Sequence, residues 1–471
     1  MFSKAQLLSF IFAIVLAITV FYIRSNSKYQ VVERLKSVLQ GLLRAESKVP
    51  EQHRTKVAVG FGGCYDAFLP ALDAFNALNI SATGSRVHHD LVNNAEELEQ
   101  LFNYFFHHGA AAERYVSNKE FFQEVISMTQ RYENTRWEVG GNAPVMAKRL
   151  ALEGSEVLLG AQRSPNVVFG EHVTGIGHQD ADDVHIIFEY DKRERWGNLT
   201  APRANRLIIH NDQFNPMLNM LEEFAIELKK FHPKLFVLGG LQMMDNFPFA
   251  DGVRENRLNA LEKFLKDMAP STLTHFEMAS FTEESLLKGL IAKVLPYAES
   301  LGMNEQELPN LLAVLNNKPA QLVADSNPRV ATTLDEIREL FTAVDKLGGS
   351  RKLTRVHVHT LAYQAIVTVK GSKWTNTMSA TAKASLVANR HVCGNTSINL
   401  DNARLILDES FSSSRTKGSE RIHVEDNRPV SCWEEGAKLF CVAPNLVCTD
   451  IYQTAGGGDN ISGAGLSLQI K

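Results

Sequence analysis

The chain has 471 residues, of which 44% are hydrophobic and 22% are charged, so it can bury a sizeable core. This length fits one large α/β domain with an insertion, or two domains. The formal net charge of −4, without a long basic run, excludes a broad nucleic-acid-binding surface.

The first element is an apolar run from Ala5 to Ile23, flanked by Lys4 and Arg24. It just reaches the roughly 18 to 20 apolar residues that span a bilayer as a helix. No small-residue cleavage site follows the run, which favours an uncleaved signal-anchor over a cleaved signal peptide. We expect residues 1–25 to be the signal peptide or signal-anchor and residues 26–54 to be a stem.

Such a segment would direct the rest of the chain into the secretory pathway. The expected location is the endoplasmic reticulum lumen, anchored to the membrane, or outside the cell if the segment is cleaved. Four of the five cysteines lie in the last fifth of the chain, which is typical of disulfides in an oxidising compartment. Sequons for N-glycosylation begin at Asn79, Asn198, Asn395 and Asn460, but this short motif often arises by chance.

From about residue 55, apolar runs alternate with helical patterns. Strands are predicted for Lys56–Phe61, Glu156–Leu159, Val184–Tyr190, Arg206–His210, Leu235–Leu238, Thr274–Met278 and Arg355–Val369. Helices are predicted for His89–Phe106, Asn142–Leu152, Met217–Phe231 and Asn256–Met268. In the second of these, Asn142 is a candidate N-cap and Pro144 lies in the first turn. The alternation predicts a mostly parallel sheet covered by helices on both faces.

The C-terminal region contains a polar stretch and then a hairpin pattern. Residues Glu409–Arg428 are rich in serine and charge, which predicts an exposed loop or excursion. Ser431–Cys441 predicts a hairpin that turns at Gly436-Ala437, with glycine first as a type II′ turn prefers.

Counting back from that turn sets Cys432 opposite Cys441, where a disulfide can form. Cys393 and Cys448 then remain to pair with each other, and Cys64 stays free. The alternative is that all five cysteines are reduced, because hairpin register can slip.

A glycine loop precedes the C-terminal apolar segment, with Gly456, Gly457 and Gly458 followed by Asp459. Free backbone N–H groups at a helix N-terminus bind phosphate, and an aspartate beside them can accept the proton of a hydroxyl. The alternative is a tight glycine turn with an aspartate N-cap. The chain contains no G-x-x-x-x-G-K-[ST] sequence, so it is not a P-loop enzyme.

Two acidic motifs precede this loop. Glu277 follows His275 at the end of a predicted strand, and Glu307 follows Asn304 where a helix opens. Carboxylates in such positions suit Mg²⁺, which keeps most of its waters and takes one or two protein ligands plus phosphates. Each motif alone also fits an ordinary surface carboxylate.

Taken in order, the patterns H-x-E, N-x-x-E and G-x-G-D resemble the signature of the ADP-dependent sugar kinases. The resemblance extends from about Val57 to Leu466. It includes Gly140–Pro144, Val184–Tyr190, Ala201–Arg206 and Arg355–Thr360, which match segments around the family's sugar and nucleotide sites. The N-terminal segment and the extended tail resemble the glucokinases of the animal branch.

This resemblance implies a ribokinase-like α/β fold within residues 55–471. The large domain would be a three-layer α/β/α sandwich, with a smaller β-rich lid at about 66–125 and 170–210. The implied reaction transfers phosphate from ADP to the 6-hydroxyl of glucose, giving glucose 6-phosphate and AMP, with Mg²⁺ as cofactor. We expect a monomer, in contact with the membrane only through an uncleaved N-terminal segment. The alternatives are an ADP-dependent phosphofructokinase and a non-catalytic, membrane-anchored sugar-binding protein.

The resemblance also implies roles for individual residues. Asp459 would be the catalytic base and Gly456–Gly458 the anion hole. Arg206, with Arg203 as second choice, would contact the phosphates. Glucose would contact Asp66, Glu113, Asn142 and His185, and Mg²⁺ would be held by Glu277, Glu307 and Asp459, mostly through water. His359 would lie on the nucleotide side. Two positions depart from the family pattern: Cys64 stands where archaeal members usually have asparagine, and Gly457 makes all three loop residues glycine.

Overall fold

The computed structural model describes residues 29–49, 54–161, 169–177, 183–319, 325 and 327–470. The apolar run Ala5–Ile23 lies outside these ranges, so its prediction stands untested. Among the described helices, none combines the length and the apolarity that a bilayer crossing requires.

The described chain alternates strands and helices from residue 56 onward. In chain order the strands are β1 (Lys56–Gly60), β2 (Cys64–Pro70), β3 (Leu91–Val92), β4 (Ala112–Val116), β5 (Arg136–Gly140), β6 (Glu156–Gly160), β7 (Val173–Ile176), β8 (Val184–Tyr190), β9 (Arg195–Trp196), β10 (Leu199–Thr200), β11 (Asn205–His210), β12 (Leu235–Leu238), β13 (Leu273–Glu277), β14 (Ser300–Asn304), β15 (Arg355–His359), β16 (Tyr363–Val369), β17 (Ala403–Arg404), β18 (Ser410–Ser412), β19 (Arg421–His423), β20 (Ser431–Glu435), β21 (Lys438–Pro444) and β22 (Val447–Cys448). The helices are α1 (29–46), α2 (Ala71–Ala77), α3 (Ala95–His108), α4 (Lys119–Arg131), α5 (Asn142–Leu152), α6 (Leu221–Phe231), α7 (Val253–Lys266), α8 (Glu284–Lys293), α9 (Glu307–Leu315), α10 (Val330–Leu347), α11 (Thr377–Val392) and α12 (Gly457–Gln469).

The larger sheet has the strand order β20-β21-β16-β15-β14-β13-β12-β1-β6-β7 and is parallel from β15 to β7. Successive side chains of its strands point to opposite faces. Val57 and Val59 therefore pack against α5 and the apolar end of α12. Ala58 packs on the other face, in the core that α6–α10 form. The predicted three-layer α/β/α architecture is confirmed.

The smaller sheet has the order β3-β4-β11-β8-β2-β5. One face is apolar and packs against α2, α3 and α4, with Ala67, Ile186 and Leu207 among its buried residues. The opposite face, which carries the alternate residues, is mostly polar and turns toward the C-terminal edge of the larger sheet. The predicted β-rich smaller part is therefore present, and its polar face is the one available to a ligand.

Two boundaries of this smaller part differ from the predicted ranges. β5 belongs to its sheet through antiparallel pairing with β2, although residues 136–140 lie outside the predicted lid. β7 lies inside the predicted lid range but pairs with β6 at the edge of the larger sheet. Both differences arise from pairing between segments distant in sequence, which a local pattern does not encode.

Several element predictions also need correction. The run Arg355–Val369 is two antiparallel strands joined at residues 360–362, because Thr360 accepts the backbone N–H of Tyr363 in a tight turn. The helix predicted from His89 begins at Ala95, capped by the Asn94 side chain. The excursion at 409–428 contains the short hairpin of β18 and β19.

The predicted stem is in part a docked helix. In α1, the buried residues Leu35, Val38 and Leu42 pack against a cluster that includes Leu386 of α11 and Ala443 of β21. Residues 29–46 are thus part of the folded body.

The cysteine pairing is the one predicted from the hairpin turn, not the alternative of five reduced thiols. Cys432 lies directly opposite Cys441 in the β20–β21 ladder, and the two form a disulfide with a Cα–Cα distance of 4.2 Å. Cys393 and Cys448 form the second disulfide, with a Cα–Cα distance of 5.7 Å, and Cys64 is free and buried.

Candidate active site

A cleft of about 880 Å³ lies between the polar face of the smaller sheet and the C-terminal edge of the larger one. The larger part contributes Asn142, Glu277, Glu305, Glu307, His359 and Gly456–Asp459 to its lining, and the smaller part contributes Glu113, Arg203, Arg206 and Ile208. The carboxyl ends of parallel strands meet at one edge, which is where ligands bind in α/β folds.

The glycine loop opens helix α12, as the phosphate-site hypothesis requires. Gly456 precedes the helix with φ 68°, a left-handed conformation that glycine adopts readily. A Cβ atom on Gly458 would lie 2.8 Å from Cε1 of His359, so only glycine fits there without movement of the ring. The first N–H groups of α12 thus lie exposed to the cleft at the positive end of the helix dipole.

Asp459 lies in the first turn of α12, and its Oδ1 accepts a 2.8 Å hydrogen bond from Nδ2 of Asn142. Burial and the nearby charge of Glu277 raise the pKa of Asp459 to about 7. A carboxyl with a pKa near neutrality is matched to proton transfer at physiological pH.

Asn142 does not have the N-cap role that the sequence predicted for it. Helix α5 begins at Asn142 itself, with Gly141 as its N-cap. The side chain of Asn142 instead bridges Asp459 and Gln242, whose Nε2 donates to Asn142 Oδ1 at 2.8 Å. It therefore fixes the orientation of the candidate base.

Glu277 at the end of β13 is 4% exposed and accepts three hydrogen bonds. The donors are Nε2 of His275 at 2.8 Å, Oγ of Ser462 at 2.9 Å and Nε2 of His359 at 3.3 Å. Burial opposes the ionised form, but the hydrogen bonds from His275 and His359 outweigh it and hold the pKa of Glu277 well below its usual range. Glu277 is a fixed negative charge.

Glu307 opens α9, and its two carboxylate oxygens accept bonds from the backbone N–H and Nδ2 of Asn304, at 2.9 and 2.8 Å. Asn304 Oδ1 in turn accepts the backbone N–H of Glu307 at 2.9 Å. These reciprocal bonds join the two ends of the N-x-x-E motif at the start of α9, so the motif opens a helix as predicted. Burial raises the pKa of Glu307 to about 7.

The predicted sugar-binding residues fall into two groups. Glu113 and Asn142 line the cleft. Asp66 and His185 lie on the same face of the smaller sheet but are buried behind Glu113, 8% and 3% exposed, outside the cleft lining. His185 Nδ1 is 3.8 Å from Glu113 Oε1. Burial raises the pKa of Asp66 to about 6.

Asp212 and His210 were not anticipated from the sequence, although they extend this buried group. Asp212 Oδ1 lies 2.9 Å from His185 Nε2 and 3.2 Å from His210 Nδ1, and the two rings stack with centroids 4.6 Å apart. Burial favours a neutral His185, but Asp212 outweighs it and raises the pKa of His185 to about 10. His210 is the last residue of the predicted strand Arg206–His210, and the alternation of side chains along β11 places it on the same face as Arg206.

An apolar wall on the larger side was also not anticipated. Val392, Leu446, Val447 and Ile451 line one end of the cleft, together with Cys448 of the second disulfide. A flat apolar ligand group fits such a wall. The surrounding chain gives no motif that singles these residues out.

Fold and cleft together define a small-molecule kinase: a three-layer α/β body, a glycine-opened helix facing a cleft, and a carboxylate of raised pKa beside it. The family described as "ADP-specific Phosphofructokinase/Glucokinase conserved region" matches residues 55–468. The chain belongs to this family.

Relatives with named activities span most of the chain. It is 33% identical over 430 residues to an ADP-dependent glucokinase of Bos taurus, covering 88% of this chain and 85% of the relative. It is 28% identical to a probable ADP-dependent glucokinase of Caenorhabditis elegans, covering 87% and 84%.

Solved structures share the fold. An ADP-dependent kinase in complex with fructose 6-phosphate and ADPβS has a TM-score of 0.64 at 18% identity, covering 93% of this chain and 97% of its own. A hypothetical ADP-dependent phosphofructokinase from Pyrococcus horikoshii OT3 has a TM-score of 0.59 at 18% identity, covering 89% and 98%.

Proposed function

We propose that the chain transfers a phosphoryl group from ADP to the 6-hydroxyl of glucose, giving glucose 6-phosphate and AMP. The observation that carries the proposal is the position of Asp459, at the glycine-opened end of α12 in the same cleft as Glu113. The names of the animal relatives support glucose as the acceptor.

Asp459 is the general base of this reaction. In its ionised form it accepts the proton of the sugar hydroxyl as the oxygen attacks the β-phosphorus of ADP. Asn142 holds the Oδ1 atom, which leaves Oδ2 to receive the proton. Because the pKa of Asp459 is about 7, a large fraction of the enzyme carries the base form at neutral pH.

The backbone N–H groups of Gly456–Gly458 and the guanidinium of Arg206 stabilise the negative charge of the transferring group. Arg206 lines the cleft from the smaller sheet, and its Nε is buried without a hydrogen-bond partner among the described residues. An unpaired buried donor is costly unless a ligand satisfies it. A phosphate oxygen would do so.

A divalent cation fits the oxygen-rich edge of the larger sheet, where Mg²⁺ would neutralise charge on the phosphates. The carboxylate oxygens of Glu277 and Glu307 already accept protein hydrogen bonds. These residues would therefore hold the ion through its water shell. Asp459 is the third carboxylate of this edge.

Glu113 favours glucose over fructose 6-phosphate. A sugar phosphate brings a dianion that requires a cationic clamp. Glu113 instead presents a negative charge to the cleft, and Arg203 is occupied by Glu305 at 3.6 Å.

The deciding experiment is a turnover assay on the purified full-length chain. Glucose and fructose 6-phosphate are compared as acceptors, ADP and ATP as donors, and AMP is measured as the product. Phosphorylation of glucose with one AMP released per glucose 6-phosphate supports the proposal. Preference for fructose 6-phosphate would reassign the acceptor, and binding of glucose without turnover would indicate a sugar-binding protein.

We further propose that the catalytic part lies in an oxidising lumen, behind an N-terminal membrane segment. The two disulfides and the exposed sequon asparagines Asn79, Asn198 and Asn395 support this location. Protease protection of the chain in sealed microsomes, with a mobility shift after deglycosylation, is the expected result. Digestion from the cytosolic side would contradict it.

A further inference from the structure

A sulfur, a carboxylate and an imidazole lie together on the polar face of the smaller sheet. Cys64 and Asp66 are two residues apart on β2, and Asp66 is the register partner of His185 on β8. One ligand atom from each of the three lies within 4.8 Å of the other two, and Cys64 Sγ is 3.1 Å from Asp66 Oδ1.

We propose that Cys64, Asp66 and His185, with Glu113 beside them, form a site for a thiophilic divalent cation such as Zn²⁺, which competes with glucose. The metal site itself does not depend on the sugar-kinase reaction. Only the competition with glucose rests on the proposed function.

The donor set matches zinc chemistry. Zn²⁺ takes four ligands from thiolate, imidazole and carboxylate at about 2.0–2.3 Å, which places tetrahedral ligand atoms roughly 3.3–3.8 Å apart. Cys64 Sγ and Asp66 Oδ1 are 3.1 Å apart, and each residue has a ligand atom within 4.8 Å of a ring nitrogen of His185. Glu113 lies 3.8 Å from His185 Nδ1 and would have to turn toward Cys64 and Asp66 to complete the shell. Mg²⁺ prefers an all-oxygen shell, so it does not suit this group.

The orientation of His185 supports ligation through Nδ1. Its Nε2 is held by Asp212 at 2.9 Å, and its Nδ1 is the nitrogen near Glu113. A carboxylate bound to the second ring nitrogen is the usual support of a metal-ligating histidine. His210 stacks on the ring and lies 3.2 Å from the same Asp212 oxygen, which fixes the assembly further.

Metal binding would compete with glucose through Glu113, which lines the cleft, and through Asp66 and His185 behind it, which the family resemblance assigns to the sugar hydroxyls. As the S–metal bond forms, the S–H bond of Cys64 breaks and its proton passes to solvent. No electron transfer is involved.

Cobalt gives a direct test without any enzymatic reaction. Four of the five cysteines are in disulfides, so a thiolate-to-Co²⁺ charge-transfer absorption can arise only from Cys64. The titration is made on the full chain without nucleotide or reductant, both of which bind the metal. We expect a near-ultraviolet band that saturates at one equivalent and is displaced by Zn²⁺.

Cys64→Ser should abolish the band and weaken Zn²⁺ binding, measured by competition with a chromophoric chelator, by at least about tenfold. His107→Ala, at an exposed histidine pair, is the matched control and should leave both unchanged. Thermal melts of each variant, together with Cys64→Ala, separate loss of ligation from loss of fold. No band in the wild type, or an equal band in Cys64→Ser, would overturn the site.

The second arm measures glucose phosphorylation at fixed free Zn²⁺. We expect inhibition that rises as glucose is lowered and that is at least about tenfold weaker in Cys64→Ser. Inhibition independent of glucose concentration would overturn the competition. Complete absence of glucose phosphorylation would count against the proposed function alone, because the cobalt band is read without substrates.

Discussion

Glu277 at the end of β13 and Asp459 in the first turn of α12 are two carboxylates of one cleft, but their surroundings differ. Glu277 accepts bonds from two histidines and a serine, whereas Asp459 accepts one from Asn142. Burial acts on both in the same direction, yet the pKa of Glu277 is lowered and that of Asp459 is raised to about 7. Hydrogen-bond donors, not burial, therefore decide which carboxylate is a permanent charge and which can carry a proton.

The largest expected effect comes from Asp459→Asn, which tests whether Asp459 is the carboxylate that carries the proton. The amide keeps the shape of the side chain but cannot accept the hydroxyl proton, so we expect kcat to fall by at least about 100-fold. Binding of glucose and ADP, measured by calorimetry, should change little. Asp401→Asn, in an exposed short 3-10 helix, is the control. Activity within a few-fold of wild type would remove Asp459 from the role of base.

Glu277→Gln tests the other member of the pair. Loss of its charge should raise the Mg²⁺ concentration for half-maximal rate by about 10- to 100-fold, because the ion loses a carboxylate that orders its water shell. Glu307→Gln should act in the same direction. Mg²⁺ titrations of the initial rate give the comparison, and curves that overlay wild type for both variants would place the metal elsewhere.

Glu113→Ala probes the opposite wall of the cleft. A glucose hydroxyl would lose a charged acceptor worth roughly 1.5–3 kcal/mol, so the KM for glucose should rise by about tenfold or more. The KM for ADP should stay nearly constant. Steady-state kinetics with each substrate varied in turn distinguishes the two, and a raised KM for ADP alone would assign Glu113 to the nucleotide side.

The pH dependence sharpens the comparison without a mutation of the pair. Below its pKa of about 7, Asp459 is protonated and cannot act as a base. We expect kcat/KM for glucose to fall about tenfold per pH unit below this value, whereas Glu277 stays ionised and adds no limb near neutrality. The same profile for the residual activity of Asp459→Asn should lose the contribution of Asp459 and keep only that of Glu307, whose pKa is also about 7. A flat wild-type profile between pH 5 and 7 would contradict the assignment.

The smallest expected effect is a change in the stability of the larger part of the chain, to which the Cys393–Cys448 disulfide belongs. The Cys393–Cys448 disulfide closes a loop of 55 residues, worth roughly 3–5 kcal/mol in the chain-entropy model. Reducing agent should therefore lower the Tm by several degrees. Mass spectrometry of a non-reduced digest is the companion measurement, and recovery of all five cysteines as alkylated thiols would contradict the pairing.

The sequence alone determined the features that depend on neighbouring residues. The hydrophobic period located most strands of the larger sheet and three of the helices beside it, α5, α6 and α7. The hairpin turn at Gly436 fixed the register that pairs Cys432 with Cys441. The three short motifs around Glu277, Glu307 and Asp459 indicated carboxylates for Mg²⁺ and a phosphate-binding loop. The structure brings them together at the carboxyl ends of parallel strands.

Only the tertiary structure decided the partners of those residues. Glu277 meets His359 and Ser462 from segments 82 and 185 residues away, and the bond from His359 adds to that from the neighbouring His275 in lowering the pKa of Glu277. Two further features also depend on the tertiary structure. One is the pairing of β5 with β2, and the other is the contact of His185 with Asp212, which lies in the loop after β11. No local period encodes such contacts, because they form only when packing of the apolar faces brings distant strands together.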